Sequence, residues 1–149
     1  MAYKLNNCEG ATDGTSISTT NSDDNGAGDA LAVSTGGTRI YSSAWANNGT
    51  TCWDCSGTSG NTAILGFTQT ASAGMSVRVY FRVTALPSAT CAFLQMRSDT
   101  DSASGAIQMK TDGALEIGTH GGVAATTTMT CSVDTVSYTH LTLPTSDLV

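Results

Sequence analysis

The chain has 149 residues, 40% of them hydrophobic and only 12% charged, with 16 Gly and a formal net charge of −6. That length suits one domain, and the apolar share is enough to build a core. Six scattered cations against twelve anions leave no basic cluster to follow a phosphate backbone or an anionic bilayer, so neither nucleic acid nor membrane is an expected partner. The opening residues, Met-Ala-Tyr-Lys-Leu-Asn-Asn, lack the apolar stretch of a signal peptide, so no export signal is expected in this chain. Tyr3–Leu5 reads as a short strand. Residues 6–30 are polar and rich in Gly, Asn, Thr and Asp, with Ile17 the one large apolar side chain. Such a stretch buries little surface by itself, so it must wrap over something else or be mobile. Leu31–Ser34 and Arg39–Ser42 read as short strands around Gly36-Gly37, a hairpin signal. Trp45–Gly60 reads as a loop, and Thr62–Thr68 as a strand with a nearly continuous apolar run.

The alternation is clearest in Ser76–Thr84. Val77, Val79, Phe81 and Val83 fall on one face, and Arg78, Tyr80 and Arg82 on the other, which predicts a half-buried strand with the Val/Phe side inward. Pro87 ends it, because proline cannot continue a ladder. Thr90–Arg97 places Ala92, Leu94 and Met96 on one face, with Cys91 expected to be buried. Ala106–Lys110 and Ala114–Gly118 form a hairpin whose register can be argued. A two-residue loop at Asp112-Gly113 would oppose Met109 to Glu116. A three-residue loop opposes Met109 to Leu115 and Ile107 to Ile117, keeping one face apolar, with Gly113 left-handed. No segment of useful length has helical periodicity, so the expected class is all-β.

The tail stands apart. Val136-Ser-Tyr-Thr-His-Leu-Thr-Leu-Pro-Thr145 resembles a one-frame translation of a transposase-type sequencing-library adapter, with residues 146–149 as its continuation. That reading makes residues 1–135 an incomplete β-sandwich domain, truncated at its C-terminus, and residues 136–149 a non-native tail. The rival reading is an ordinary final strand, since Val136, Tyr138, Leu141 and Leu143 favour β structure. Under the first reading His120 is the one native histidine.

Several constellations carry possible chemistry. Glycoside hydrolysis needs two carboxylates about 5–10 Å apart, but the glutamates are Glu9 and Glu116, and no expected strand holds two acids. His120, beside Gly121-Gly122, has no nucleophile-elbow motif near it. The chain is therefore expected not to be an enzyme and to need no cofactor. The acidic loop Asp23-Asp24-Asn25-Gly-Ala-Gly-Asp29 has the oxygen-rich composition that Ca²⁺ prefers, with Asp13 and Glu9 as further donors; an ordinary solvated turn is the other reading. Cys52-Trp-Asp-Cys55 is a single CxxC: a local disulfide or two thiols, since zinc would want a second pair. Trp45, Trp53, Tyr41 and Tyr80 could stack on sugar rings, with Arg78 and Arg82 flanking Tyr80 on its strand, or that face could simply be solvated.

Residues 7–31, Asn-Cys-Glu-Gly-Ala-Thr-Asp-Gly-Thr-Ser-Ile-Ser-Thr-Thr-Asn-Ser-Asp-Asp-Asn-Gly-Ala-Gly-Asp-Ala-Leu, resemble the opening of a group of concanavalin-like (laminin-G-like) jelly-roll domains. These occur in actinobacterial secreted proteins and in tail or other virion proteins of their phages. Val79-Tyr-Phe-Arg-Val-Thr-Ala-Leu-Pro-Ser88 resembles the strand and turn at the middle of the same domains, and Asp112-Gly113 before Leu115 fits the hairpin that follows. Cys8 departs from the group, standing where an aromatic is usual. The resemblance implies a two-sheet antiparallel β-sandwich. It further implies a structural or receptor-facing surface domain of a virion, whose partners are other virion subunits or a surface glycan. The alternative is a carbohydrate-binding module of a secreted bacterial protein. The corresponding locations are the virion or the extracellular space.

Overall fold

The computed structural model describes residues 4–46, 49–58, 61–68, 74–97, 103–119, 122–134 and 136–144. The protein is all-β, and every strand pairing among the described residues is antiparallel. The chain divides into two compact units, residues 1–73 and 74–149.

The first unit holds β1 (Val33–Thr35), β2 (Thr38–Ser42), β3 (Cys52–Ser56) and β4 (Ile64–Gly66). β2 pairs with β3, with Tyr41 opposite Trp53, and β1 pairs with β4, with Ser34 opposite Leu65. The expected hairpin about Gly36-Gly37 is therefore corrected: β1 and β2 take different partners. Both glycines are left-handed, at φ 69° and 37°. A Cβ on Gly36 would meet the Thr62 carbonyl, and one on Gly37 the Ser56 carbonyl. The pair thus turns the chain sharply against residues 56–63, and only glycine allows both the φ and the approach. The loop expected over Trp45–Gly60 contains β3, which its own polar residues Asp54 and Ser56 disguised. Lys4 and Leu5 are not in a strand; they are tied to Asp29 instead.

The polar segment after Leu5 wraps, the first of the two arrangements its composition allows. Residues 14–17 run along the free edge of β2: Gly14 N donates to Tyr41 O, Tyr41 N to Thr15 O and Ile17 N to Arg39 O, each at 2.9 Å. This delivers Ile17 into a core with Leu31 and Tyr41, against which Ala11, Trp53 and Leu65 pack. Apolar side chains are scarce here, so a buried tyrosine supplies much of the core volume.

The second unit holds β5 (Gly74–Arg82), β6 (Cys91–Arg97), β7 (Ala103–Met109), β8 (Ala114–Thr119), β9 (Gly122–Thr130) and β10 (Val136–Pro144). β6 to β9 form a four-stranded meander, and β5 pairs with β10. The two sheets meet through a core of Ile107, Met109, Leu115 and Cys131, on which Phe81, Val83, Phe93 and Leu94 pack. The Phe81 and Phe93 rings lie 4.8 Å apart. This is a β-sandwich in miniature, filled by alternate residues of facing sheets.

The β7–β8 hairpin has the three-residue loop the apolar register requires: Met109 opposes Leu115, Ile107 opposes Ile117, and Gly113 sits at φ 83°. Lys110 N donates to Ala114 O and Gly113 N to Lys110 O, both at 2.9 Å, closing the turn. Two features of β6 depart from strict alternation. A register shift between Ala92 and Leu94 lets Phe93 and Leu94 both reach the core, as a bulge permits. Cys91 is exposed, not buried, because it opens an edge strand. β9 has no counterpart among the expected strands; its Ala- and Thr-rich sequence gives a weak signal. Residues 136–144 pair with β5 from Val136 opposite Arg82 to Pro144 opposite Gly74.

Candidate functional site

The first unit carries an open cleft of about 500 Å³ lined by Glu9, Ala11, Thr12, Asp13, Asn25, Ser43, Thr50 and Thr51. Three separate stretches meet there because the 6–30 wrap crosses the ends of β2 and β3. Glu9 is the strut that joins them. Its Oε1 accepts the Thr50 and Thr51 backbone N–H groups at 2.7 and 2.9 Å, and its Oε2 accepts the Thr50 hydroxyl at 2.7 Å. Thr51 Oγ1 donates back to the Cys8 carbonyl at 2.6 Å. Asp13 Oδ1 accepts Ser43 N at 2.7 Å on the opposite wall.

The Thr51 and Thr50 donors hold the Glu9 carboxyl below the usual carboxylate range. A depressed folded-state pKa means that folding favours the carboxylate. Its stabilisation is present above the unfolded value of about 4.3 and is lost as pH falls through the lower folded value. Glu9→Gln is expected to cost about 1 kcal/mol at pH 7, the charge-assisted range discounted for solvent access, and to flatten the loss of stability below pH 4.5. Urea denaturation of both proteins at pH 7 and pH 3.5 measures this; equal acid slopes would remove Glu9 from the account.

The acidic loop is not gathered around one point. Asp24 is buried, in a left-handed conformation at φ 52°, and its carboxylate turns inward to accept Asn7 N and Glu9 N. Asn25, also left-handed, donates Nδ2 to the Glu9 carbonyl at 2.9 Å. Asp29 points elsewhere, to Lys4 Nζ and Leu5 N, both at 2.9 Å, and those donors hold its carboxyl low. The Asp23 carbonyl accepts Gly26 N and Gly28 N. No three Asp, Glu, His or Cys side chains converge as a metal site among the described residues. Of the two readings of the acidic loop, the geometry is that of a hydrogen-bonded turn: Asp24 accepts two backbone N–H groups, and Asp29 accepts one together with the Lys4 ammonium.

The aromatic platform is also dispersed. Tyr41 is fully buried, and its hydroxyl donates to the Asn21 carbonyl at 2.6 Å, so it offers no ring to a ligand. Trp53 packs on the same core and stacks on Phe67 at 6.2 Å between ring centroids. Its Nε1 is buried. Trp45 is half-buried beyond β2. In the second unit Arg78 and Tyr80 are exposed on the outer face of β5, where Arg82 pairs with Asp134 at 2.6 Å.

Cys52 and Cys55 occupy the first and fourth positions of β3, hence opposite faces, with Cα atoms about 10 Å apart at ~3.3 Å per residue. A disulfide tolerates about 7 Å at most, so the local CxxC bridge is corrected; both are thiols. Glu116, in the second unit, faces Lys110 at 3.7 Å. His120 lies outside the described residues.

Sequence reasoning left the acids of residues 9–29 between a cation site and an ordinary solvated turn, and did not foresee their role as struts. No spacing rule reveals a carboxylate whose partners lie some forty residues away. Compared with family models, with curated proteins and with solved structures, the chain matches none.

Proposed function

We propose that this chain is a non-catalytic, glycan-facing surface domain, of the kind carried by a phage tail or other virion protein. The observation that carries the reading is the cleft at Glu9, Thr12, Asp13 and Asn25. Its rim groups are hydroxyls, an amide and carboxylates, the side chains that exchange hydrogen bonds with sugar hydroxyls. They are held by backbone contacts and so need little ordering on binding. The acids serve as acceptors of fixed N–H groups, a use at odds with proton transfer. The likeness of residues 7–31 and 79–88 to concanavalin-like jelly rolls supplies the virion setting. The same cleft also suits the second reading, a carbohydrate-binding module of a secreted bacterial protein.

The lining named here contains no aromatic ring, so affinity for a neutral oligosaccharide is expected to be weak, with Kd about 1 mM, roughly −4 kcal/mol. Saturation-transfer NMR against a panel of neutral bacterial-surface oligosaccharides tests it. Signal lost in Thr12→Ala and Asn25→Ala, with the Tm of each retained, is the expected result. Transfer that persists in both variants, or no transfer from any sugar, overturns the glycan reading.

A further inference from the structure

Cys8 and Cys52 come from opposite ends of the segment that the first unit folds back on itself. Cys8 is left-handed at φ 66°, an unfavourable conformation for a residue with a Cβ. It is held there from both sides of Cys52. Its carbonyl accepts Thr51 Oγ1 at 2.6 Å, and the Trp53 backbone N–H lies beside its sulfur. The adjoining Glu9 carboxylate fixes Thr50 and Thr51 in the same place. Cys8 thus rests against both chain neighbours of Cys52, and both thiols are half-buried. Cys55 projects from the other face of β3 and cannot compete for Cys52.

We propose that Cys8 and Cys52 form a redox-addressable pair, closing to a disulfide that staples the 6–30 wrap to β3. The oxidant is a small-molecule disulfide such as oxidised glutathione. The Cys52 thiolate attacks one of its sulfurs, giving a mixed disulfide and releasing one small thiol. The Cys8 thiolate then attacks the Cys52 sulfur and releases the second. Two protein S–H bonds give way to one S–S bond, the two protons pass through solvent to the departing small-molecule thiolates, and the oxidant leaves as two thiols. Burial pushes the Cys8 thiol up to about 12, with Asp24, Cys52 and Glu9 adding to the shift. The closing step is therefore slow at neutral pH and quickens as pH rises. The finished bridge closes a loop of about 45 residues and removes that freedom from the unfolded chain.

The test is oxidation of the full chain with oxidised glutathione at pH 7 and pH 9, followed by non-reducing peptide mapping. The expected product is a Cys8–Cys52 cross-linked peptide, formed at least tenfold faster at pH 9 and accompanied by a Tm several degrees higher, reversed by dithiothreitol. Cys55→Ser should retain the cross-link, while Cys8→Ser should leave Cys52 glutathionylated. A Cys52–Cys55 cross-link, or stable double glutathionylation at Cys8 and Cys52 in protein that keeps its native Trp fluorescence, would overturn the proposal.

Discussion

Tyr41→Ala is expected to remove about 3–5 kcal/mol, enough to leave the first unit largely unfolded at room temperature. Tyr41 is completely buried and fills the centre of a core that otherwise offers Ile17 and Leu31. Neither neighbour can expand into the space, because residues 14–17 are pinned along β2 by three backbone hydrogen bonds. Tyr41→Phe separates volume from polarity. It keeps the ring but strands the Asn21 carbonyl that the hydroxyl caps at 2.6 Å, and should cost about 1–2 kcal/mol. Both tryptophans, Trp45 and Trp53, belong to this unit, so urea titration followed by Trp fluorescence reads it selectively. A Phe variant as stable as the parent would show the hydroxyl contact to be idle. Gly10 reports on the same spot from the other side: a Cβ there would collide with the Asn21 carbonyl and the Tyr41 hydroxyl.

Leu115→Ala is the corresponding lesion in the second unit, with an expected cost of about 2–5 kcal/mol. Leu115 is 2% exposed and opposes Met109 across the hairpin, beneath Ile107 and Cys131. Far-UV circular dichroism against urea gives the shift in midpoint. The Trp signal, read in the same titration, moves with it only if the two units unfold together. A midpoint within 0.5 kcal/mol of the parent, after conversion by the m-value, would mean that the site collapses around the gap or that Leu115 is not central.

These two sites also show what the sequence could and could not reveal. The inward face of β5 and the register of β7–β8 were legible because period-two alternation leaves one arrangement with an apolar face. Ile17 stood out as the lone large apolar residue in its segment, but its place in the core is a tertiary fact. Tyr41 was not: an aromatic near a polar loop reads equally well as platform or core, and burial against Asn21 is a tertiary fact. Gly36-Gly37 failed for a related reason. A glycine pair states that the backbone turns, not which strands the turn connects. The same holds for Glu9, Asp24 and Asp29, whose composition suggests a cation, while their geometry serves backbone donors.

The Glu9 strut bears on how the chain finds its structure. Glu9 and the Thr50 it grips are 41 positions apart, whereas the β7–β8 turn closes over three residues. Loop-closure entropy grows with the logarithm of length, so drawing Glu9 to Thr50 costs roughly 2 kcal/mol more than forming that hairpin. The meander β6 to β9 is built from neighbours in sequence and can assemble on local information. The 6–30 wrap has few apolar side chains with which to offset its closure, and its hydrogen bonds reward the chain only after the ends have met. Contact order therefore ranks the two units: the C-terminal meander is the fast-forming half, and the strut that shapes the cleft is among the last contacts to lock.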